Sequence, residues 1–186
     1  MRQRAWHDAN TMRQLLLLRH AKSSWDDPKL PDHARPLNAR GKRAVAAMAR
    51  AMRELGLAPD VVLVSSARRT LQTLEALAPL ADSPIIMPMD DLYLAPWTGM
   101  VALIRRVPET VRSVLLIGHN PGLHDLALSL PGPGGLASAQ GLRLADAYPT
   151  CGLAEFSIAL PWHQLESGGG RLVRFLPPAD LPEMAS

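Results

Sequence analysis

Cysteine is almost missing from this chain: Cys151 stands alone among 186 residues. A lone cysteine cannot close an internal disulfide, which points to a reducing, cytoplasmic compartment. Its setting, Pro149-Thr150-Cys151-Gly152-Leu153 ahead of a strand-like stretch, suits a small buried residue better than a catalytic thiol. Aromatic residues are scarce too, at 4%, so the core has to be built from Leu, Val, Ile, Ala and Met. Long apolar runs are lacking. The longest early one, Leu15 to Leu18, falls far short of the about 20 residues that cross a bilayer. It is also shorter than the about 7–15 residues of a signal-peptide core. No membrane association is expected. The net charge of +3 brings no dense basic run and no interleaving of aromatic with basic residues, so nucleic acid is not an expected partner.

What is present reads as one domain with a real core. Leu15-Leu16-Leu17-Leu18, Val61 to Val64 and Val114 to Ile117 are short apolar runs with turn or polar residues at their ends. Periodicity alone cannot assign the first, but Pro28, Pro31 and Pro36 downstream exclude a long helix there. All three are expected to be buried strands. Helical spacing marks Asn38 to Leu55, with Asn38 as N-cap and Gly56 as stop, and Ala67 to Leu80, with Leu71, Leu74 and Leu77 on one face. Further helices are expected over Thr98 to Arg106, capped by Thr98, and over Gly122 to Leu130, with Pro121 in its first turn. Ile85 to Met87, Leu153 to Leu160 and Arg171 to Leu176 complete the strands, with Gly168-Gly169-Gly170 as a hairpin connection. Alternation of this kind predicts an α/β domain, three layers α/β/α around a largely parallel central sheet. Residues 13–178 are assigned to this domain. Residues 1–12 read as a disordered extension, or as sequence upstream of a natural start at Met12, and 179–186 as a loose tail.

Three of the strand ends carry chemistry. The first delivers Arg19-His20, the second Ser65-Ser66-Ala67-Arg68-Arg69, the third Gly118-His119-Asn120. In open α/β sheets ligands sit beyond the carboxyl ends of the strands, so parallel neighbours would bring two histidines and at least two arginines together. Guanidinium forks match phosphate oxygens and stay charged at any working pH. Imidazole can attack phosphorus through one nitrogen. An adjacent Arg19 should lower the pKa of His20, and the other ring nitrogen would need a fixed acceptor such as a backbone carbonyl. Taken singly, each histidine has a blander reading as a satisfied structural residue. No third ligand stands at metal spacing, so no metal and no cofactor are expected. His7, His33, His124 and His163 read as surface residues, Arg35 as a tie for its loop, and Met48 and Met52 as core filling.

The residues then carry a resemblance. Leu17-Leu18-Arg19-His20-Ala21-Lys22-Ser23 resembles the RH signature of the histidine phosphatase (phosphoglycerate mutase-like) superfamily, and more narrowly that of the SixA-type phosphohistidine phosphatases. Four further stretches agree, in order, between about Leu15 and Leu176. They are Asp32-His33-Ala34-Arg35-Pro36-Leu37-Asn38 with Gly41, then Ser65-x-x-x-Arg69-x-x-Gln72-Thr73, then Gly118 to Leu123, then Pro149 to Leu153. The resemblance implies a phosphoglycerate mutase-like fold and a metal-independent phosphatase in which His20 is phosphorylated during turnover. It implies that Arg19 and Arg69 hold the phosphoryl oxygens and that His119 completes the pocket. Spacing from Ser65 selects Arg69 over Arg68. Asp32 is the candidate acid, since Asp90 and Asp91 offer no counterpart to the carboxylate of larger relatives. Lys22 and Ser23 either touch phosphate or cap the loop. The short segment from Tyr93 to Val111 leaves no room for a lid, which favours a phosphorylated protein, such as a phosphotransfer domain, as substrate. The alternatives are a small phosphate ester, or a non-catalytic phosphate-binding module on the same fold.

Overall fold

The computed structural model describes residues 12–184; the expected N-terminal extension lies outside the described residues. Six strands form one sheet: β1 (Arg13–Arg19), β2 (Val61–Ser65), β3 (Ile85–Met89), β4 (Ser113–Gly118), β5 (Leu153–Ile158) and β6 (Gly170–Leu176). Their spatial order is β3-β2-β4-β1-β5-β6. The first four run parallel, and β5 and β6 close the far edge as antiparallel strands. The five helices are α1 (Ala39–Glu54), α2 (Arg68–Leu77), α3 (Trp97–Ile104), α4 (Gly122–Ser129) and α5 (Ala139–Asp146).

The unbroken leucine run of β1 follows from burial on both faces. Alternate side chains point to opposite sides: Leu16 and Leu18 join Val62, Val64, Leu115 and Ile117 under α1 and α2. Leu15 and Leu17 join Leu63, Val114 and Leu116 under α3, α4 and α5. The three-layer α/β/α arrangement is therefore the observed one. Val45, Met48 and Met52 supply the buried stripe of α1, and Asn38 caps it, its side chain accepting from Gly41 N–H at 2.7 Å.

The structure revises some of the expected elements. Helix α2 stops at Leu77, because Ala78 is already extended before Pro79. Thr98 is not a cap: α3 begins at Trp97 behind an extended Pro96, with no side-chain capping bond. Helix α5 carries no visible apolar period, since Leu144 is buried while Leu142 is 62% exposed. It is set instead by Ser138, which accepts from Gly141 N–H at 3.0 Å. The segment expected as a loose tail forms 3-10 turns at Pro178–Asp180 and Pro182–Met184. Leu181 is buried there, Asp180 pairs with Arg143 of α5, and Glu183 pairs with Arg50 of α1.

One glycine fixes where the first helix meets the loop that follows β1. A Cβ built on Gly41 would lie 2.2 Å from the Lys22 carbonyl oxygen. Backbone meets backbone here, so no side chain can rotate away. Gly41→Ala is expected to lower stability by about 1–3 kcal/mol, as overpacking typically does. Urea unfolding of the two proteins would check this.

Candidate active site

Arg19 ends β1 opposite Gly118 at the end of β4. The next residue, His20, donates its backbone N–H to Gly118 O at 3.1 Å. From the other side Cys151 N–H reaches both Arg19 O and His20 O at 3.1 Å, and Arg19 N–H reaches Gly152 O at 3.1 Å. The Pro149 to Leu153 stretch is thus a clamp on the backbone of the first strand end. Cys151 holds a positive φ of 63°, and burial pushes its thiol up to about 12, a structural role as expected. Helix α2 ties the following loop: Thr73 Oγ1 accepts from Ala21 N–H at 3.1 Å, and Gln72 Oε1 accepts from Leu37 N–H at 2.8 Å.

His20 is oriented by a single bond. Its Nδ1 lies 2.7 Å from the Ala21 carbonyl oxygen, which can only accept, so Nδ1 carries the proton and Nε2 is bare. Burial is the main cause that lowers its pKa to about 4, with Arg69 and Arg19 adding to the shift. At neutral pH the ring is uncharged and keeps a free lone pair. His119 stands beside it, ring centroids 5.1 Å apart. Burial first, then His20 and Arg69, hold His119 at about 3. Its Nε2 faces Ser65 Oγ at 2.7 Å, and Arg69 donates to its Nδ1 at 3.4 Å.

Two guanidiniums complete the group. Arg69, in the first turn of α2, is 4% exposed. Arg19 donates to Tyr148 O at 2.8 Å, and its Nε is buried without a hydrogen-bond partner. Desolvation and the neighbouring Arg69 lower its pKa. Two fixed cations beside two neutral imidazoles give a positive pocket with open donors, the electrostatics that suit a phosphoryl group. Among the described residues no cluster of three or more His, Cys, Asp or Glu side chains is placed to hold a metal ion.

Asp32 reaches this group in an unexpected capacity. Its Oδ2 accepts from Tyr93 O–H at 2.6 Å and from Arg69 at 2.9 Å, and its Oδ1 accepts from Arg35 at 3.1 Å. Its backbone oxygen takes a further Arg69 N–H at 2.7 Å. The Tyr93 bond is the largest of the causes that drop its pKa to about 2, with Arg69 and Arg35 also contributing. So held, the carboxylate anchors Arg69. Of the other expected contacts, Ser23 gives its Oγ to Arg35 at 2.8 Å, and Lys22 is exposed. Arg35 is the loop tie anticipated, donating also to Ser24 O at 2.9 Å. Sequence reasoning gave no role to Ser65 or Tyr93, because neither contact follows from a periodic pattern. It also took His33 for a plain surface residue. His33 is exposed, yet it bonds Ser66 Oγ at 3.0 Å and sets its ring 4.8 Å from that of Tyr93.

The two lowered histidines make stability pH-dependent. In the unfolded chain they bind protons near 6.5, in the folded one only near 4 and 3. The unfolded state therefore binds more protons below 6.5, so stability is full above that pH and falls as pH drops toward 4 and below. A His20→Gln variant is expected to show a shallower fall between pH 6.5 and 4, as read from urea midpoints across that range.

The geometry has counterparts elsewhere. Residues 15–113 match the profile of the histidine phosphatase superfamily (branch 1). An uncharacterised protein of Mycobacterium tuberculosis strain H37Rv is 35% identical over 161 residues, 85% of this chain and 98% of its own. A structure from Nakamurella multipartitia, named provisionally as the phosphohistidine phosphatase SixA, superposes with a TM-score of 0.79 at 30% identity. It covers 90% of this chain and 96% of that one. The protein histidine phosphatase SixA complexed with tungstate superposes at 0.72 with 25% identity, over 90% and 98% of the two chains. The fold is thus phosphoglycerate mutase-like, and on profile, relatives and superposition together this chain belongs to the histidine phosphatase superfamily.

Proposed function

We propose that this protein is a metal-independent phosphatase that removes phosphate from a histidine side chain of another protein, through a phosphorylated His20. The observation that carries the reading is the engagement of Asp32, whose carboxylate is taken up by Tyr93, Arg69 and Arg35. It is the only carboxylate hydrogen-bonded or ion-paired to Arg19, His20, Arg69 or His119 among the described residues. An alkyl ester leaves as an alkoxide, which needs a proton delivered to its oxygen. Phosphohistidine does not: its ring can carry the proton on the nitrogen away from phosphorus and depart as neutral imidazole. A pocket without a protonated acid suits the second leaving group.

In the first step the His20 Nε2 lone pair attacks phosphorus. A new N–P bond forms as the bond to the substrate imidazole breaks, and that ring keeps the electron pair. His20 retains its Nδ1 proton on the Ala21 carbonyl and so becomes the same protonated phosphoimidazole that the substrate was. The transfer is between like nitrogens and is close to balanced in energy. Arg19, Arg69 and the Nδ1 side of His119 offset charge on the phosphoryl oxygens while the group is in flight. Water then attacks the phosphoryl group, both of its protons stay with the departing phosphate or solvent, and His20 returns with Nε2 bare. With Arg69 donating to Nδ1, the His119 proton lies on Nε2 toward Ser65 Oγ. Because Ser65 can either give or take a proton, His119 can switch tautomer and present Nδ1–H once a phosphoryl oxygen takes over the Arg69 donor.

Access supports a macromolecular substrate. Only residues 90–96 separate β3 from α3, which leaves no insertion to cover the mouth. The SixA relative is complexed with tungstate, a phosphate-like oxyanion, which supports a phosphoryl ligand for this chain. The lone buried thiol suits a reducing cytoplasm, where phosphorylated signalling proteins would be met.

Phosphate release should be measured with EDTA present from a phosphorylated histidine phosphotransfer domain, p-nitrophenyl phosphate and 3-phosphoglycerate. The domain and the activated aryl ester are expected to turn over, 3-phosphoglycerate poorly, and His20→Ala not at all. Preference for the alkyl ester, or turnover that survives in His20→Ala, overturns the proposal. Arg69→Ala is expected to lower kcat by about 10²–10³-fold, the cost typical of losing a transition-state donor, with circular dichroism confirming the fold.

A further inference from the structure

We infer that Trp25 is a docking residue for the protein that carries the phosphorylated histidine, with Leu94 on a second loop at the same end of the sheet. The inference rests on the phosphohistidine-protein reading above. Trp25 is 72% exposed in a chain with few aromatic residues anywhere. It lies on the loop that leaves the nucleophile's own strand, while Leu94 follows β3; both loops emerge at the carboxyl ends of parallel strands, where the pocket is.

Exposure alone would mean little, but this indole is stacked on a held arginine. The Arg35 guanidinium lies 3.1 Å from the ring centroid. Arg35 is itself only 6% exposed and is held by Ser24 O, Ser23 Oγ and Asp32 Oδ1. Asp32 in turn grips Arg69. An unbroken line of contacts therefore runs from the exposed indole to the arginine of the phosphate pocket, and it sets the distance from docking surface to reaction centre. An exposed apolar ring already stacked on a held guanidinium loses less conformational entropy when a partner covers it than a free one would, the property of a binding hot spot.

The loop after β3 carries a second exposed apolar residue. Leu94 is 53% exposed and holds a φ of 51°, a left-handed conformation that non-glycine residues rarely adopt. Its neighbour Tyr93 is bonded to the same Asp32 carboxylate, so both loops are registered to one group. A folded partner presenting apolar surface around its phosphorylated histidine would meet both anchors at once. A small phosphate ester would meet neither.

The test compares two substrates with one leaving group: a phosphorylated histidine phosphotransfer domain and free phosphohistidine. Trp25→Ala is expected to raise KM for the domain about tenfold or more, the effect of losing a hot-spot side chain. kcat for the domain and kcat/KM for free phosphohistidine should change by less than about twofold, the background of a neutral substitution. Trp25→Phe should restore much of the loss. Equal losses on both substrates would show that the indole only shields Arg35, and unchanged kinetics on both would show that it contacts nothing; either result overturns the inference alone. Wild-type protein that hydrolyses free phosphohistidine but not the domain would overturn it together with the protein-substrate reading.

Discussion

Arg19 pairs with Gly118 in a parallel ladder, and residues on parallel neighbours advance in step. The two that come next, His20 and His119, therefore leave the sheet side by side, 5.1 Å apart. No loop has to search for this arrangement. It is set by the same register that pairs Leu15 with Val114 and Leu18 with Ile117, and a one-residue slip would turn every leucine of β1 toward the wrong layer. Burial of the core and placement of the two imidazoles are one constraint, which is why a facing pair of histidines can be held in a domain with so few aromatic residues.

The pocket that results keeps its charges apart by type. The guanidiniums remain cationic at the cost of desolvation. The imidazoles give up their charge instead, because burial beside two cations makes a third and fourth positive charge too unfavourable. Among the described residues, Asp32 supplies the one compensating carboxylate. It sits at the edge of the group, 45% exposed, where it can anchor Arg69 without cancelling the field at His20.

Most of the skeleton could be read from the sequence because it rests on patterns that composition cannot hide. The Leu15 to Leu18, Val61 to Val64 and Val114 to Ile117 runs are too short for core helices and too apolar for loops, and the histidines and arginines at their ends converge as the parallel order requires. The tautomer of His20 also followed from chemistry, since a neutral attacking imidazole needs an acceptor behind it. Asp32 does lie at the site, where its carboxylate anchors Arg69. Its second partner is Tyr93, sixty-one positions away, and no local pattern announces that contact. Helix α5 escaped notice because its buried face is one leucine wide. The closing segment looked loose because its anchors, Leu181 and two ion pairs, are single residues whose partners lie far back in the chain.

Arg19 keeps a buried Nε without a partner, and Arg69 is locked in place by Asp32 before any ligand arrives. The same donors that grip a phosphoryl group in transit also face the oxygens of the inorganic phosphate that hydrolysis leaves behind, which they hold less tightly than the transition state. For a phosphatase of this design, the product is a built-in competitor. Free phosphate would then compete with substrate for the donors of Arg19 and Arg69.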